Sequence, residues 1–214
     1  MLERAHGIVI RLRPLSETSL VVHWLTAEAG RIATVAKGAR RPKSPFLGKL
    51  DLFVAADLAF VRSNRSTLHT LSEVVVVRRH DALARDLHVL AMAAYAVHAV
   101  ELATEPDTPI PEVALLFDCF IRHIVAHPPA ARSVLAFETK LLACLGLEPD
   151  PGETSLPSAG RDLLAMLLDV DWPDLPGIEP DPAAARLMKP FLHGFIIHHL
   201  GRLPSGRAEA FGRP

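Results

Sequence analysis

Between Glu28 and Asp51 the chain carries six cationic side chains, Arg31, Lys37, Arg40, Arg41, Lys43 and Lys49, and no carboxylate. Five of the six crowd into KGARRPKSPFLGK, residues 37–49. Lysine and arginine at that density suit one task well. They displace the counterions condensed on a phosphate backbone, and release of those ions drives association without regard to base sequence. Gly38 and Gly48 allow the backbone to lie close to a strand, while Pro42 and Pro45 restrict the loop. Phe46 sits among the cations, where a ring could stack on a base; its competing role is a plug in a folded core. Arg11 and Arg13 share one strand face and extend the positive track. Arg62 and Arg65 beside a polar turn, and Arg78 and Arg79 further on, are weaker additions. The ordinary alternative for any charge run is a solvated loop with no ligand.

Other chemistries find less support. Eleven histidines invite a metal, and His123 and His127 stand at i, i+4. Zinc-hydrolase helices use such a pair with a glutamate directly after the first histidine, but Ile124 follows His123 and Gly194 follows His193. No phosphate-cradling G-x-x-x-x-G-K run and no G-x-S-x-G elbow occurs. Asp169 and Asp171 lie in a loop without partners. No catalytic residue, cofactor or metal is therefore expected. Cys119 and Cys144 are too far apart for a zinc knuckle and sit in apolar runs, which predicts buried, reduced thiols.

The charges also divide along the chain. Residues 1–80 hold 13 basic and 6 acidic side chains, a net of +7, and residues 81–214 hold 10 and 18, a net of −8. A basic half beside an acidic half suggests a polyanion for the first and different partners for the second. The N-terminus has no apolar signal core. The longest uncharged apolar stretch, Leu87–Val100, falls short of the ~20 residues a membrane span requires. A cytoplasmic protein with no membrane contact is expected.

Strands flank the loop on both sides. AHGIVIRLRP alternates, SLVVHWLT (19–26) follows, and AEAG turns into RIATVAK (31–37), a hairpin. After the loop, LDLFVAADLAFV (50–61) alternates with Leu52, Val54, Ala56, Leu58 and Phe60 on one face. TLHTLSEVVVV (67–77) makes the fifth strand. The last two are long enough to serve both halves of a small, partly open barrel. Strand count alone leaves an oligonucleotide-binding (OB) barrel and an SH3-like barrel both open. From residue 80 the period changes to helical: 80–105 with Asp81 as N-cap, then 111–126, 129–147, 158–169 and 182–201. PDTPIP (106–111) reads as a linker and LPSGRAEAFGRP as a frayed tail. The fold class is α+β, with a barrel domain over 1–79 and an all-α helical domain over 80–214.

RPLSETSLVV, LTAEAGRI and VAKGARRPKS, in that order, resemble the N-terminal domain of the RecO recombination-mediator family. FETKLLACLGLEP (137–149) resembles that family's helix ending in a Leu-Gly turn. The N-terminal match covers about a third of the chain. The resemblance implies a five-stranded OB-fold barrel followed by a helical protein-interaction domain. One departure stands out. Many relatives carry a four-cysteine zinc insertion after the Leu-Gly turn; here the stretch is EPDPGETSLPSAG, with neither Cys nor His, so packing and proline stiffness must hold the turn instead.

The resemblance further implies a role in DNA repair and recombination. Such proteins bind single- and double-stranded DNA, anneal complementary strands, and act with RecR to bring RecA onto strands coated by single-strand-binding protein. They contact that protein's acidic C-terminal tail through the helical domain, where Arg132 and Lys140 beside an apolar helix are the candidate cations. A nucleoid-associated place in the cytoplasm would follow. Two other readings compete: an adaptor whose basic loop meets an acidic protein surface without DNA, and an RNA-binding OB protein.

Overall fold

The structure, a computed structural model, describes residues 1–212. It divides into two compact units, Met1–Asp81 with Thr104–Leu115, and Ala82–Ala103 with Leu116 to the C-terminus.

The first unit is a closed barrel of five strands, β1 (Leu2–Pro14), β2 (Leu20–Thr26), β3 (Gly30–Ala36), β4 (Ala55–Val61) and β5 (Leu68–Arg78), in the order β1-β2-β3-β5-β4. The parallel pairing of β3 with β5, at Ala33↔Leu68 through Val35↔Thr70, gives the Greek-key closure of the OB fold. Closure depends on two strands that coil. The first half of β1 pairs with β4 and its second half with β2, with a register shift between Val9 and Arg11. β5 starts against β3 and continues along β4.

The long strands are thus β1 and β5. The 50–61 run does not form one, because Phe53 adopts a positive φ of 61° and breaks the extended backbone, so β4 begins only at Ala55. Leu52 accordingly lies in a turn and is exposed, off the core face where its alternation placed it. Val9, Val22, Trp24, Ile32, Val54, Phe60, Leu71 and Val74 fill the barrel. Trp24 is fully buried, and its indole Nε1 donates to Thr34 Oγ1 at 2.9 Å, which satisfies the one polar atom it carries inside.

PDTPIP is no free linker. Asp107 N donates to the Arg31 carbonyl at 2.9 Å, and Arg31 bridges to Pro106 as a short parallel pair. Gly30 in the β2–β3 turn has φ +70°, and a Cβ there would strike the Thr108 carbonyl, so this close approach requires glycine.

The second unit is helical: α1 (Leu87–Ala103), α2 (Pro111–Ala126, whose first residues belong to the barrel unit), α3 (Ala131–Cys144), α4 (Ser158–Asp169), α5 (Pro182–Leu200) and the single turn α6 (Arg207–Ala210). Asp81 opens a 3₁₀ turn. The cap of α1 is Asp86, whose Oδ1 accepts from His88 N at 2.7 Å and Val89 N at 3.2 Å. α3 ends in the Leu-Gly turn: Gly146, at φ +70°, donates to the Ala143 carbonyl at 2.9 Å, and Leu147 N donates to Leu142 at 2.9 Å. Leu147 and Leu156 then enter the apolar cluster formed by Leu142, Leu164, Leu167, Met188 and Leu192. The α3–α4 connection is held at both ends by leucines.

The structure corrects two expectations in this half. Cys119 and Cys144 are free but only half-buried. The tail through Gly212 is anchored, not frayed; Arg213 and Pro214 lie outside the described residues. Arg207 is buried and pairs with Glu138 through Nε–Oε1 at 2.6 Å and Nη2–Oε2 at 2.8 Å. The Tyr95 hydroxyl donates to the same carboxylate at 2.5 Å. Burial and the Glu138 charge push the Tyr95 phenol far above its ordinary range, so it stays a donor.

Candidate nucleic-acid interface

Residues 37–54 contain no strand or helix, yet they are ordered by consecutive tight turns. Ala39 N donates to Ala36, Arg41 to Gly38, Ser44 to Arg41, Leu47 to Ser44 and Lys49 to Phe46, at 3.0–3.4 Å. Gly38 and Gly48 take φ of +67° and +69°, the left-handed conformation such a chain of turns requires. Apolar side chains pin the loop to the barrel: Ala39 and Phe46 belong to the barrel core, and Phe53 is buried. On its other side the loop leans on the β1–β2 connection. Arg40 N donates to the Thr18 carbonyl at 3.0 Å, and Gly38 N to Ser19 Oγ at 3.4 Å. Ser16, Thr18 and Ser19 were absent from the expected site. RPLSETSL carried their signal, a serine and threonine cluster at a turn.

The cations on this frame fall into two groups. Lys37, Arg40, Arg41 and Lys43 are exposed, Lys49 is half-exposed, and none of the five forms an ion pair among the described residues. Among the described residues only Arg40 of the five makes a side-chain bond, Nη1 to the Ser16 carbonyl at 3.3 Å. Arg13 is exposed on β1, opposite Val21; Arg11, half-buried opposite His23, engages the protein itself. Arg31 leaves the interface. Its Nε donates to Thr104 Oγ1 at 2.8 Å and its Nη2 to the Thr104 carbonyl, so its guanidinium ties the 104–115 segment to the barrel. Arg62 is likewise committed, to Glu3 at 2.8 Å and to Asp107 at 2.7 Å, and Asp107 also takes His69 Nε2 at 2.9 Å. Hydrogen bonding to Arg62 holds the Glu3 carboxyl below its usual range. Asp107 left no trace in a proline-rich stretch that reads as linker.

Of the two roles open to Phe46, stacking or core plug, the structure shows the plug. Its ring is 7% exposed inside the barrel, and Trp24, Phe53 and Phe60 are buried as well. Among the described residues the loop therefore presents charge and no exposed ring.

In the helical unit, the half-buried Lys140 is engaged by the protein itself. Its Nζ donates to the Leu168 carbonyl at 2.7 Å, capping the last turn of α4. Burial lowers its pKa, while Asp171 and Asp169 act the other way. Arg132 is half-buried, with its Nε enclosed and unbonded. The His123 and His127 rings lie 4.9 Å apart, tilted against each other, but His123 is buried and its Nε2 is matched to Ser133 Oγ at 3.0 Å.

Burial first, and the neighbouring His127 second, push the His123 pKa from 6.5 down to about 4. The folded state then holds this ring neutral where the unfolded chain would protonate it. The resulting stability is present above pH 6.5 and is lost as pH falls toward about 4. Its ceiling is roughly 3–4 kcal/mol. Chemical denaturation at a series of pH values should show this loss, and His123→Gln should remove that component of the slope.

Set against known proteins, residues 1–80 match the family described as Recombination protein O N terminal, and residues 84–151 match Recombination protein O C terminal. The DNA repair protein RecO of Anaeromyxobacter dehalogenans (strain 2CP-C) is 30% identical, over 94% of this chain and 92% of its own length. The chain belongs to the RecO family. The RecO of Rhodopirellula baltica is 35% identical over 73% of this chain, and that of Symbiobacterium thermophilum 38% over 67%. Those two matches take in 57% and 56% of the relatives' own lengths, so the chain spans just over half of each. The two RecO matches fall on the strand-forming and helix-forming stretches, and the first includes the whole cationic loop. No described helix is long and apolar enough to cross a membrane.

Proposed function

We propose that this chain is a nonenzymatic recombination mediator of DNA repair. On this reading residues 1–79 hold DNA and residues 80–214 hold proteins. It binds single- and double-stranded DNA through the phosphate backbone, anneals complementary strands, and acts with RecR to bring RecA onto strands coated by single-strand-binding protein. Arg132 is the cation for that protein's acidic C-terminal tail. The working compartment is the cytoplasm, at the nucleoid, and the α3–α4 connection does without zinc.

The single observation that carries this reading is the ordered loop whose five cations, Lys37, Arg40, Arg41, Lys43 and Lys49, meet no carboxylate of the protein among the described residues. A loop free of internal neutralisation keeps its whole charge for a polyanion. The burial of Phe46 supports annealing in particular: a strand gripped by its phosphates alone keeps its base edges free to pair, whereas bases stacked on a ring would have to let go first.

Four to six phosphate contacts on a single strand give a slope of log affinity against log salt of roughly −3 to −4. Titrations with single-stranded DNA, double-stranded DNA and RNA across a salt series should show that slope for the single strand and a steeper one, roughly −4 to −5, for the duplex, together with accelerated strand annealing. No binding to any of the three would favour a protein adaptor. An RNA preference that persists at high salt would favour an RNA-binding protein.

A further inference from the structure

The cationic loop has a property that phosphate binding does not use. Leu47 lies among the free cations and is 63% exposed, and Leu52 just beyond is exposed too. An apolar side chain ringed by cations suits a surface of opposite design, an apolar groove rimmed by carboxylates. The helical unit carries one. Residues 148–181 hold nine acidic side chains and a single basic one, Arg161. Within this stretch, α4, the 177–181 turn and the start of α5 enclose a groove of about 410 Å³. Leu163, Met166, Ile178 and Ala184 line it, and Asp162 and Glu179 stand among the lining residues. Met166 is 47% exposed. Neither Asp162 nor Glu179 has an ion-pair partner among the described residues. The cations of α5 do not compensate them: Arg186 donates to the Pro182 carbonyl at 3.2 Å, and Lys189 lies over the Phe211 ring at 4.6 Å.

We propose that this groove receives the 37–49 loop of a second copy of the chain. Leu47 enters between Met166 and Ile178, while Arg40, Arg41 and Lys43 face Asp162 and Glu179. The two patches are different surfaces, so the contact is head-to-tail and can extend beyond a dimer. It engages the cations that phosphates would take, so DNA and a second copy compete for one loop. Self-association then stores the protein in a form that DNA dismantles. The docking itself rests only on the free loop and the groove; the competition rests on the DNA reading above.

Sedimentation without DNA tests the docking. The full chain at low salt should associate with a concentration dependence in the micromolar range, and raising salt from about 50 to 300 mM should weaken this at least tenfold. A loop variant (Arg40→Ala, Arg41→Ala, Lys43→Ala) and a groove variant (Asp162→Asn, Met166→Ser, Glu179→Gln) should each be monomeric, with circular dichroism confirming the fold. Mixed together they should form one-to-one pairs, since each supplies the face the other lacks. Single-stranded DNA should disperse the full chain's assemblies, and the groove variant should bind DNA as the full chain does. A full chain that stays monomeric at low salt, or variants that each associate as strongly as it does, would overturn the proposal. Association that stands while DNA fails to bind would leave the docking intact and remove the DNA reading alone.

Discussion

Changing Arg40, Arg41 and Lys43 together to alanine should lower single-strand affinity roughly a hundredfold at about 50 mM salt, and by a shrinking factor as salt rises. Each phosphate contact contributes about 0.7 to the salt slope on a single strand, so losing three should flatten it by about 2. Annealing should slow in parallel. The fold should survive. All three side chains are exposed, none has an ion-pair partner among the described residues, and only Arg40 holds a bond, a 3.3 Å contact to the Ser16 carbonyl. Surface changes of that kind cost within about 0.5 kcal/mol. Arg31→Ala is the informative control. Its guanidinium is committed to Thr104, so its loss should lower stability while leaving the salt slope in place. Fluorescence anisotropy across a salt series reads both quantities, and an unchanged slope in the triple variant would remove the loop from the interface.

Glu138→Ala should destabilise the fold far more than any change in the loop, by about 3–5 kcal/mol. The carboxylate is buried between two donors, the Arg207 guanidinium at 2.6 and 2.8 Å and the Tyr95 hydroxyl at 2.5 Å. Its removal leaves a buried cation facing no anion and a buried hydroxyl with no acceptor. Burial works against the Arg207 charge, and the Glu138 bonds more than offset it, raising the arginine's pKa. Arg207 also stacks on Phe211 and donates to the Lys189 carbonyl, so the C-terminal turn loosens with it. For a chain of this size the loss corresponds to a fall in melting temperature of roughly 10 °C. Glu138→Leu combined with Arg207→Met should be milder than Glu138→Ala, because no charge is left unpaired in the core. Thermal unfolding of the parent chain and the two variants decides it. A double variant worse than the single would mean that the pair contributes more than it costs to bury.

How far these features could be read from residue order differs from one to the next. The five strands were legible because β-branched alternation repeats every two residues, a local signal. The limit of β4 was not, because nothing nearby announces that Phe53 turns left-handed. The charge of the 37–49 loop was plain in the sequence, and so was its lack of acids. Which cations stay free was not. Arg31 and Lys37 look alike on paper, yet a segment some seventy residues away takes the first and leaves the second. Phe46 illustrates the same limit: a ring amid cations suits stacking or packing equally, and the closing of the barrel chose packing.

The helical half was legible in its periods and poorly legible in its polar contacts. Glu138, in the middle of a helix, and Arg207, in a tail rich in small residues, gave no hint of pairing across 69 positions. Lys140 seemed available until the end of α4 arrived beside it. Residue order was enough for the succession of strands and helices, the cationic loop and the family, since these depend on local periodicity, composition and neighbouring residues. Which charges remain for a partner was settled in three dimensions. A side chain's commitment depends on what the rest of the chain brings within about 3 Å of it, a distance that spacing along the chain does not encode.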